Sequence, residues 1–357
     1  MSKVTRIISV SMMLTVLSAI ILAGCGNRHS DKAGLNKSDI TETLSQTLES
    51  EKDSQMNSQS EDITDTEITD TEAEDSGQTD SEEDSQEETS NPYTAAREPY
   101  TGVPVYEDME HIYMNTTWEY ADHSAISNGY AVLYKAAGER KNIIVGVNAG
   151  HGTAGGSSVR TLCHPDGSPK STGGSTAAGA TTATAVSGGM TFYDGTPESE
   201  VTFRMAQILR DRLLSLGYDV LMVRDNADVQ LDNVARTVIC NNVADCHISL
   251  HWDGDGLSYD KGCFYIAVPD AIKDMEPVAT HWQQHNALGA SLVNGLGDVG
   301  MKIHGSGSMA IDLTQTSYST IPSVDMELGN ASSDHSDETL ENIADGLMAG
   351  INAYYGY

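Results

Sequence analysis

The stretch Asn142-Ile143-Ile144-Val145-Gly146-Val147-Asn148-Ala149-Gly150-His151-Gly152 sets the reading of this chain. Its first half is a short run of Ile and Val, closed by small residues, which reads as a buried strand. Its second half is a turn of small residues that presents one histidine, His151. In an open α/β sheet, ligands bind just past the carboxyl ends of the strands. A histidine placed there, between glycines that let a ligand approach, is a site candidate. A lone histidine after a strand is more often structural, so the rest of the chain has to decide.

Outward from this strand the apolar pattern alternates. Glu198 to Leu216 carries Val201, Met205, Ile208, Leu209 and Leu213 at helical spacing and stops at Gly217. Tyr218–Val223 reads as a strand, Leu231–Val243 as a helix, and Cys246–Leu250 and Cys263–Val268 as strands. His281–Leu296 is a helix, Ser323–Glu327 a late strand, and Thr339–Tyr354 a closing helix with Leu340, Ile343, Leu347 and Ile351 on one face. Such alternation predicts an α/β fold: a mostly parallel sheet with helices on both faces, in a single domain over residues 141–357. Between the first strand and the first helix, Thr153 to Thr196 is a long Gly/Ser/Thr/Ala segment. It reads either as a mobile insertion or as a lid over a cleft.

The 357 residues carry a formal net charge of −32. Residues 26–95 hold half of it: 20 acidic against 4 basic side chains, a net of −16. This segment is Ser, Thr, Asp, Glu and Gln with almost no aromatics, and Ile63-Thr-Asp-Thr-Glu67 repeats at once as Ile68-Thr-Asp-Thr-Glu72. It cannot bury enough apolar surface to offset its chain entropy, and charge repulsion extends it. A disordered acidic linker is the expectation, acting as a spacer or simply as a solubilising tail. Residues 96–140 form a lead-in richer in aromatics, expected as a strand or helix laid on the domain. No basic face exists for nucleic acid.

Residues 1–25 read as an export signal: Lys3 and Arg6, then the apolar core Ile7–Ile21. Leu22-Ala23-Gly24-Cys25 resembles the lipobox of lipoproteins, which implies cleavage before Cys25 and lipid attachment to it. The alternative is an uncleaved anchor, for which Ile7–Ala23 is barely long enough to span. Both place the body outside the cytoplasm, tethered to a membrane at the cell envelope. Cys163, Cys240, Cys246 and Cys263 have no close CxxC spacing, so a four-thiolate zinc site is unsupported. In an exported protein they form either two disulfides, whose pairing the sequence leaves open, or free buried thiols.

Four polar residues stand at the ends of expected elements: His151 after the first strand, Glu198 opening the first long helix, His251 after Ile248-Ser249-Leu250, and Glu327 closing the late strand. Two imidazoles and one carboxylate suit Zn²⁺ with an open fourth position for water. The remaining carboxylate, Glu327, is the candidate general base and acid. Glu198 is favoured as ligand over Glu200, and Glu327 over Asp325, which stands inside the strand. His247 reads as a packing residue, and His164, His281, His285 and His304 as surface or loop histidines.

Together these residues resemble the zinc-dependent N-acetylmuramoyl-L-alanine amidases. The matching motifs are Gly150-His151-Gly152, Glu198 at a helix start, Ser249-Leu250-His251, and Pro322-Ser323-Val324-Asp325-Met326-Glu327-Leu328-Gly329. The resemblance runs from about Asn142 to the C-terminus. It implies His151, Glu198 and His251 as zinc ligands, Glu327 as the catalytic acid–base, and peptidoglycan as the substrate. The long segment after His151, Asn148-Ala149 before the Gly-His-Gly, and Asn330 after Gly329 depart from the family pattern and bear on substrate preference. Two other readings stand beside this one: a wall-binding lipoprotein on the same fold without turnover, and a zinc peptidase acting on another amide.

Overall fold

The computed structural model describes residues 106–357. The expected signal, Cys25 and the acidic linker lie outside the described residues. Within them, one eight-stranded sheet runs in the order β1-β2-β6-β3-β7-β10-β8-β9. Its strands are β1 (Tyr106–Ile112), β2 (Ala131–Ala136), β3 (Ile144–Ala149), β6 (Asp219–Met222), β7 (Cys246–Asp253), β8 (Cys263–Ala267), β9 (Ile303–Ala310) and β10 (Ser323–Asn330). The central run β6-β3-β7-β10 is parallel throughout, as is β8-β9. β1, β2 and the β10–β8 pairing are antiparallel. The fold is therefore the expected α/β architecture. The sheet begins before residue 141, because the lead-in supplies β1 and β2 as strands of this same sheet.

The helices form because their apolar residues fall on one stripe each. α1 (Glu198–Ser215) follows Pro197 and buries Val201, Met205, Leu209 and Leu213. It packs with α3 (Val278–Asp298) and α5 (Asp337–Tyr355) on one face of the sheet, over Val145, Val147, Ile248 and Leu250. α3 and α5 approach closely through glycine: a Cβ at Gly295 would lie 2.2 Å from the Gly346 carbonyl oxygen. α2 (Asn233–Val243), whose Asp232 cap accepts a bond from Ala235 N, covers the opposite face with Ala235, Ile239 and Cys240 against Leu221 and Val223. The five-residue α4 (Thr314–Tyr318) lies beside α2.

After β3 the chain passes through α1 to β6 on one side of β3, then returns through α2 to β7 on its other side. The strand order thus reverses between β3 and β7, which opens a crevice at their carboxyl ends. The segment between β3 and α1 contains the short hairpin β4 (Arg160–Leu162) and β5 (Thr182–Thr184) and folds onto the domain rather than projecting from it. Cys163, Ala183, Ala185, Val186 and Phe192 are buried. Buried Asp312 fixes it: Asp312 accepts bonds from His164 Nε2 at 2.8 Å and Ser171 N at 2.7 Å, and its carbonyl accepts from Lys170 Nζ. His164 is therefore buried, not a loop-surface residue. All four cysteines of the described residues are free, buried thiols. None of the described helices is long and apolar enough to cross a membrane.

Candidate metal centre

His151, Glu198 and His251 meet at the carboxyl ends of β3 and β7. Glu198 Oε1 lies 2.8 Å from His151 Nε2 and 3.1 Å from His251 Nδ1, and the two ring nitrogens are 3.1 Å apart. Among the described residues this is the one group of three whose donor atoms all fall within 4.8 Å. A tetrahedral ion with bonds of about 2.1 Å needs its ligand atoms roughly 3.4 Å apart, so the donor set fits a small d¹⁰ cation. Glu200, the alternative to Glu198, is not part of the group.

Two of the three members, His151 and Glu198, are held from behind by hydrogen bonds. His151 Nδ1 donates to the Ser187 carbonyl at 2.9 Å. A carbonyl only accepts, so the proton sits on Nδ1 and the lone pair of Nε2 faces the cluster. Glu198 Oε2 accepts from Met190 N at 2.8 Å, and Oε1 from Trp252 N at 3.1 Å. Burial alone would raise the Glu198 carboxyl; the hydrogen bonds and charges of His151 and His251 outweigh it and hold the group well below the usual range. Burial also opposes charge on His251, but Asp325 and Glu198 overcome it and push its ring up to about 10.

Two glycines leave the space for this packing. A Cβ at Gly150 would meet the His251 ring at 2.2 Å, and one at Gly189 would lie 2.8 Å from Glu198 Oε2. His151 itself has φ +65°, a left-handed conformation that costs a non-glycine residue roughly 1–2 kcal/mol. Two buried arginines hold that turn. Arg236 donates to the carbonyls of Ala149 (3.1 Å) and His151 (2.6 Å), and Arg224 to those of Ala149 (3.1 Å) and Gly150 (3.0 Å). Burial lowers the Arg224 guanidinium to about 10 and that of Arg236 to about 9. Neither arginine is evident as a site residue from sequence. The available signal is that Arg236 falls on the inward stripe of α2 with Ile239 and Cys240, where a cation needs a buried set of acceptors.

The cluster opens into a cavity of about 630 Å³. Ser249, Asp325 and Glu327 line it from the sheet, and Ser175, Thr184 and Met190 from the β3–α1 segment. Register sets Asp325 opposite Ser249 and Glu327 opposite His251. Side chains two apart on a strand share a face, so both carboxylates point into the cavity. The position of Asp325 inside the strand is thus no argument against it: its Oδ2 stands 3.7 Å from His251 Nε2. Glu327 Oε2 and Asp325 Oδ1 are buried without hydrogen-bond partners among the described residues. Burial raises both, Glu327 strongly, with Asp325 the next cause. His247, on the same face, is fully buried at the strand start, as expected of a packing residue; burial lowers it to about 3.

A family model described as N-acetylmuramoyl-L-alanine amidase matches residues 145–352. Among solved structures, the N-acetylmuramyl-L-alanine amidase Ami1 from Mycobacterium smegmatis superposes with a TM-score of 0.51 at 20% identity, over 61% of this chain and 99% of that one. Its counterpart from Mycobacterium abscessus gives 0.48 at 23% identity over 60% and 99%. AmiC2 of Nostoc punctiforme gives 0.44 at 17% over 61% and 99%. No curated protein matches the chain in sequence. The similarity to the M. smegmatis enzyme shows a common fold, and the family match spans more than half of the residues, from within β3 to within α5: the chain belongs to the N-acetylmuramoyl-L-alanine amidase family.

Proposed function

We propose that the protein is a zinc-dependent peptidoglycan hydrolase that cleaves the amide between the lactyl group of N-acetylmuramic acid and L-alanine. The observation that carries this reading is the convergence of His151, Glu198 and His251 on one point, with Glu327, whose buried Oε2 has no hydrogen-bond partner among the described residues, facing the same cavity. His151 Nε2, Glu198 Oε1 and His251 Nδ1 would hold the ion. When bound, zinc supplies Lewis acidity, polarising an amide carbonyl and making water nucleophilic near neutral pH.

The chain supplies the rest. Glu327 takes a proton from the attacking water and returns it to the leaving nitrogen. A raised carboxyl pKa suits both tasks, since a group that is too acidic holds no proton to return. Asp325 lies beside it and opposes its ionisation. The β3–α1 segment walls the cavity, and His151 and Glu198 are buried beside it. The sequence pattern at residues 1–25 supports an extracytoplasmic protein anchored by lipid at Cys25, with residues 26–95 as a disordered spacer and 141–357 carrying catalysis. That location suits a wall substrate.

The test is mass spectrometry of fragments released from purified sacculi by the full chain, with and without chelator. Free stem peptides beginning with L-alanine are expected, lost on chelation. Glu327→Gln should keep zinc and reduce turnover at least about 100-fold. Wall binding with no released fragment would instead mark a non-catalytic binder, and fragments cut elsewhere a peptidase of another amide.

A further inference from the structure

Of the three clustered side chains, two are fixed from behind by hydrogen bonds: His151 through Ser187, Glu198 through Met190 and Trp252. His251 has no such bond among the described residues. Its Nδ1 is turned toward Glu198 and His151, so Nε2 points the other way, into the cavity. The carboxylate it meets there is Asp325, at 3.7 Å. Glu327 is paired with His251 in strand register, yet among the described residues Asp325 is the one carboxylate within 4.0 Å of Nε2.

We propose that Asp325 is a positioning residue for His251, holding the ring in the tautomer and orientation that turn the Nδ1 lone pair toward His151 and Glu198. The proposal rests on the metal reading above. Three observations support it. Asp325 Oδ1 is buried and has no hydrogen-bond partner among the described residues, so no other bond there holds this carboxylate in place. A movement of about 0.9 Å brings Oδ2 to the usual 2.7–2.9 Å of a charge-assisted bond. The ring cannot evade the contact on its other side, because it already packs into the space left by the missing Cβ of Gly150. Carboxylates that grip the outer nitrogen of a metal-bound histidine fix its tautomer and raise its basicity, and their loss weakens metal binding by roughly 10–100-fold. Glu327 is then left free for proton transfer, which divides the two carboxylates by task.

The experiment measures zinc affinity of the full chain by competition with a chromophoric chelator, together with the visible spectrum of the cobalt-substituted protein. Asp325→Ala should weaken zinc roughly 10–100-fold and alter the cobalt spectrum, with turnover recovered at saturating zinc. Asp325→Asn keeps an oxygen acceptor and the side-chain shape, and should fall between parent and alanine. Thermal unfolding of the metal-free variants reports that they are folded. Glu327→Gln should bind zinc as the parent does. Parent-like zinc affinity in Asp325→Ala overturns the proposal, as does a Glu327→Gln that loses zinc while Asp325→Ala keeps it. A parent that binds zinc but releases no wall fragment sinks the amidase reading and leaves this one standing. A parent that binds no zinc sinks both.

Discussion

Gly150→Ala is the sharpest single test of the centre. Gly150 has no positive φ, so alanine fits its backbone, and the whole effect is steric. The added Cβ would stand 2.2 Å from His251 Cε1 and 2.6 Å from each ring nitrogen. Ordinary contact begins near 3.4 Å, so the ring must retreat by about 1.2 Å. Metal–ligand distances tolerate about 0.2 Å, and a misplacement of about 1 Å in a catalytic group costs on the order of 100-fold, or about 2.7 kcal/mol. Zinc affinity and kcat/KM should each fall by about that factor. Gly155→Ala is the control: it has φ +77° and open space around it. It should cost about 1 kcal/mol of stability through backbone strain and leave zinc affinity unchanged. Chelator competition and denaturant unfolding separate the two effects. A Gly150→Ala protein that binds zinc within threefold of the parent would refute the placement of His251 as a ligand.

Two further outcomes follow from buried groups around the centre. His247 and His285 are lowered to about 3, chiefly by burial. The unfolded chain takes protons on these rings below about 6.5 while the folded chain refuses them, so their contribution to stability is intact above pH 6.5 and is lost as pH falls toward 3. Together they should remove about 5 kcal/mol between pH 6.5 and 4.5. Neither ring nitrogen of His247 has a hydrogen-bond partner among the described residues, so His247→Leu should flatten the acid slope by about 1.4 kcal/mol per pH unit; an unchanged slope in urea titrations would contradict this. Arg236→Met should destabilise the metal-free protein by at least about 3 kcal/mol, because it strands the His151 carbonyl and Asn148 Oδ1, two buried acceptors with no other donor among the described residues. A loss below 1 kcal/mol would show that Arg236 does not clamp the turn.

The periodic elements were legible because burial stamps a period on them. β3, β7, β10, α1, α2, α3 and α5 all stand within a few residues of the expected positions. What was missed lacks that stamp. β9 reads Ile-His-Gly-Ser-Gly-Ser-Met-Ala, an edge strand with two glycines and only one buried residue. β1 is an acidic edge strand, and the five-residue α4 is too short to show a period. His285 was readable in principle, since it shares a helical stripe with Leu288 and Leu292. Asp325 was readable by strand alternation with Glu327. The three clustered side chains were legible from their places at element ends. The residues that support them, Ser187, Met190, Arg224 and Arg236, act through backbone groups of residues remote in sequence, and such contacts leave no local pattern.

That distinction matters most for the segment between β3 and α1, whose small polar residues suggested either mobility or a lid. Its carboxyl-terminal part supplies the Ser187 carbonyl to His151 and Met190 N to Glu198, while Gly189 leaves the room both require. Its middle is gripped at His164, Lys170 and Ser171 by Asp312, and the neighbours of Asp312, Ile311 and Leu313, line the same cavity. Cavity wall and ligand support are therefore one continuous piece of chain. A substitution that reshapes the wall near Ser175 or Thr184 cannot be treated as a change in substrate fit alone. It pulls on the bonds that set the tautomer of His151 and the orientation of Glu198, so altered preference and altered metal affinity should appear together in the same variant.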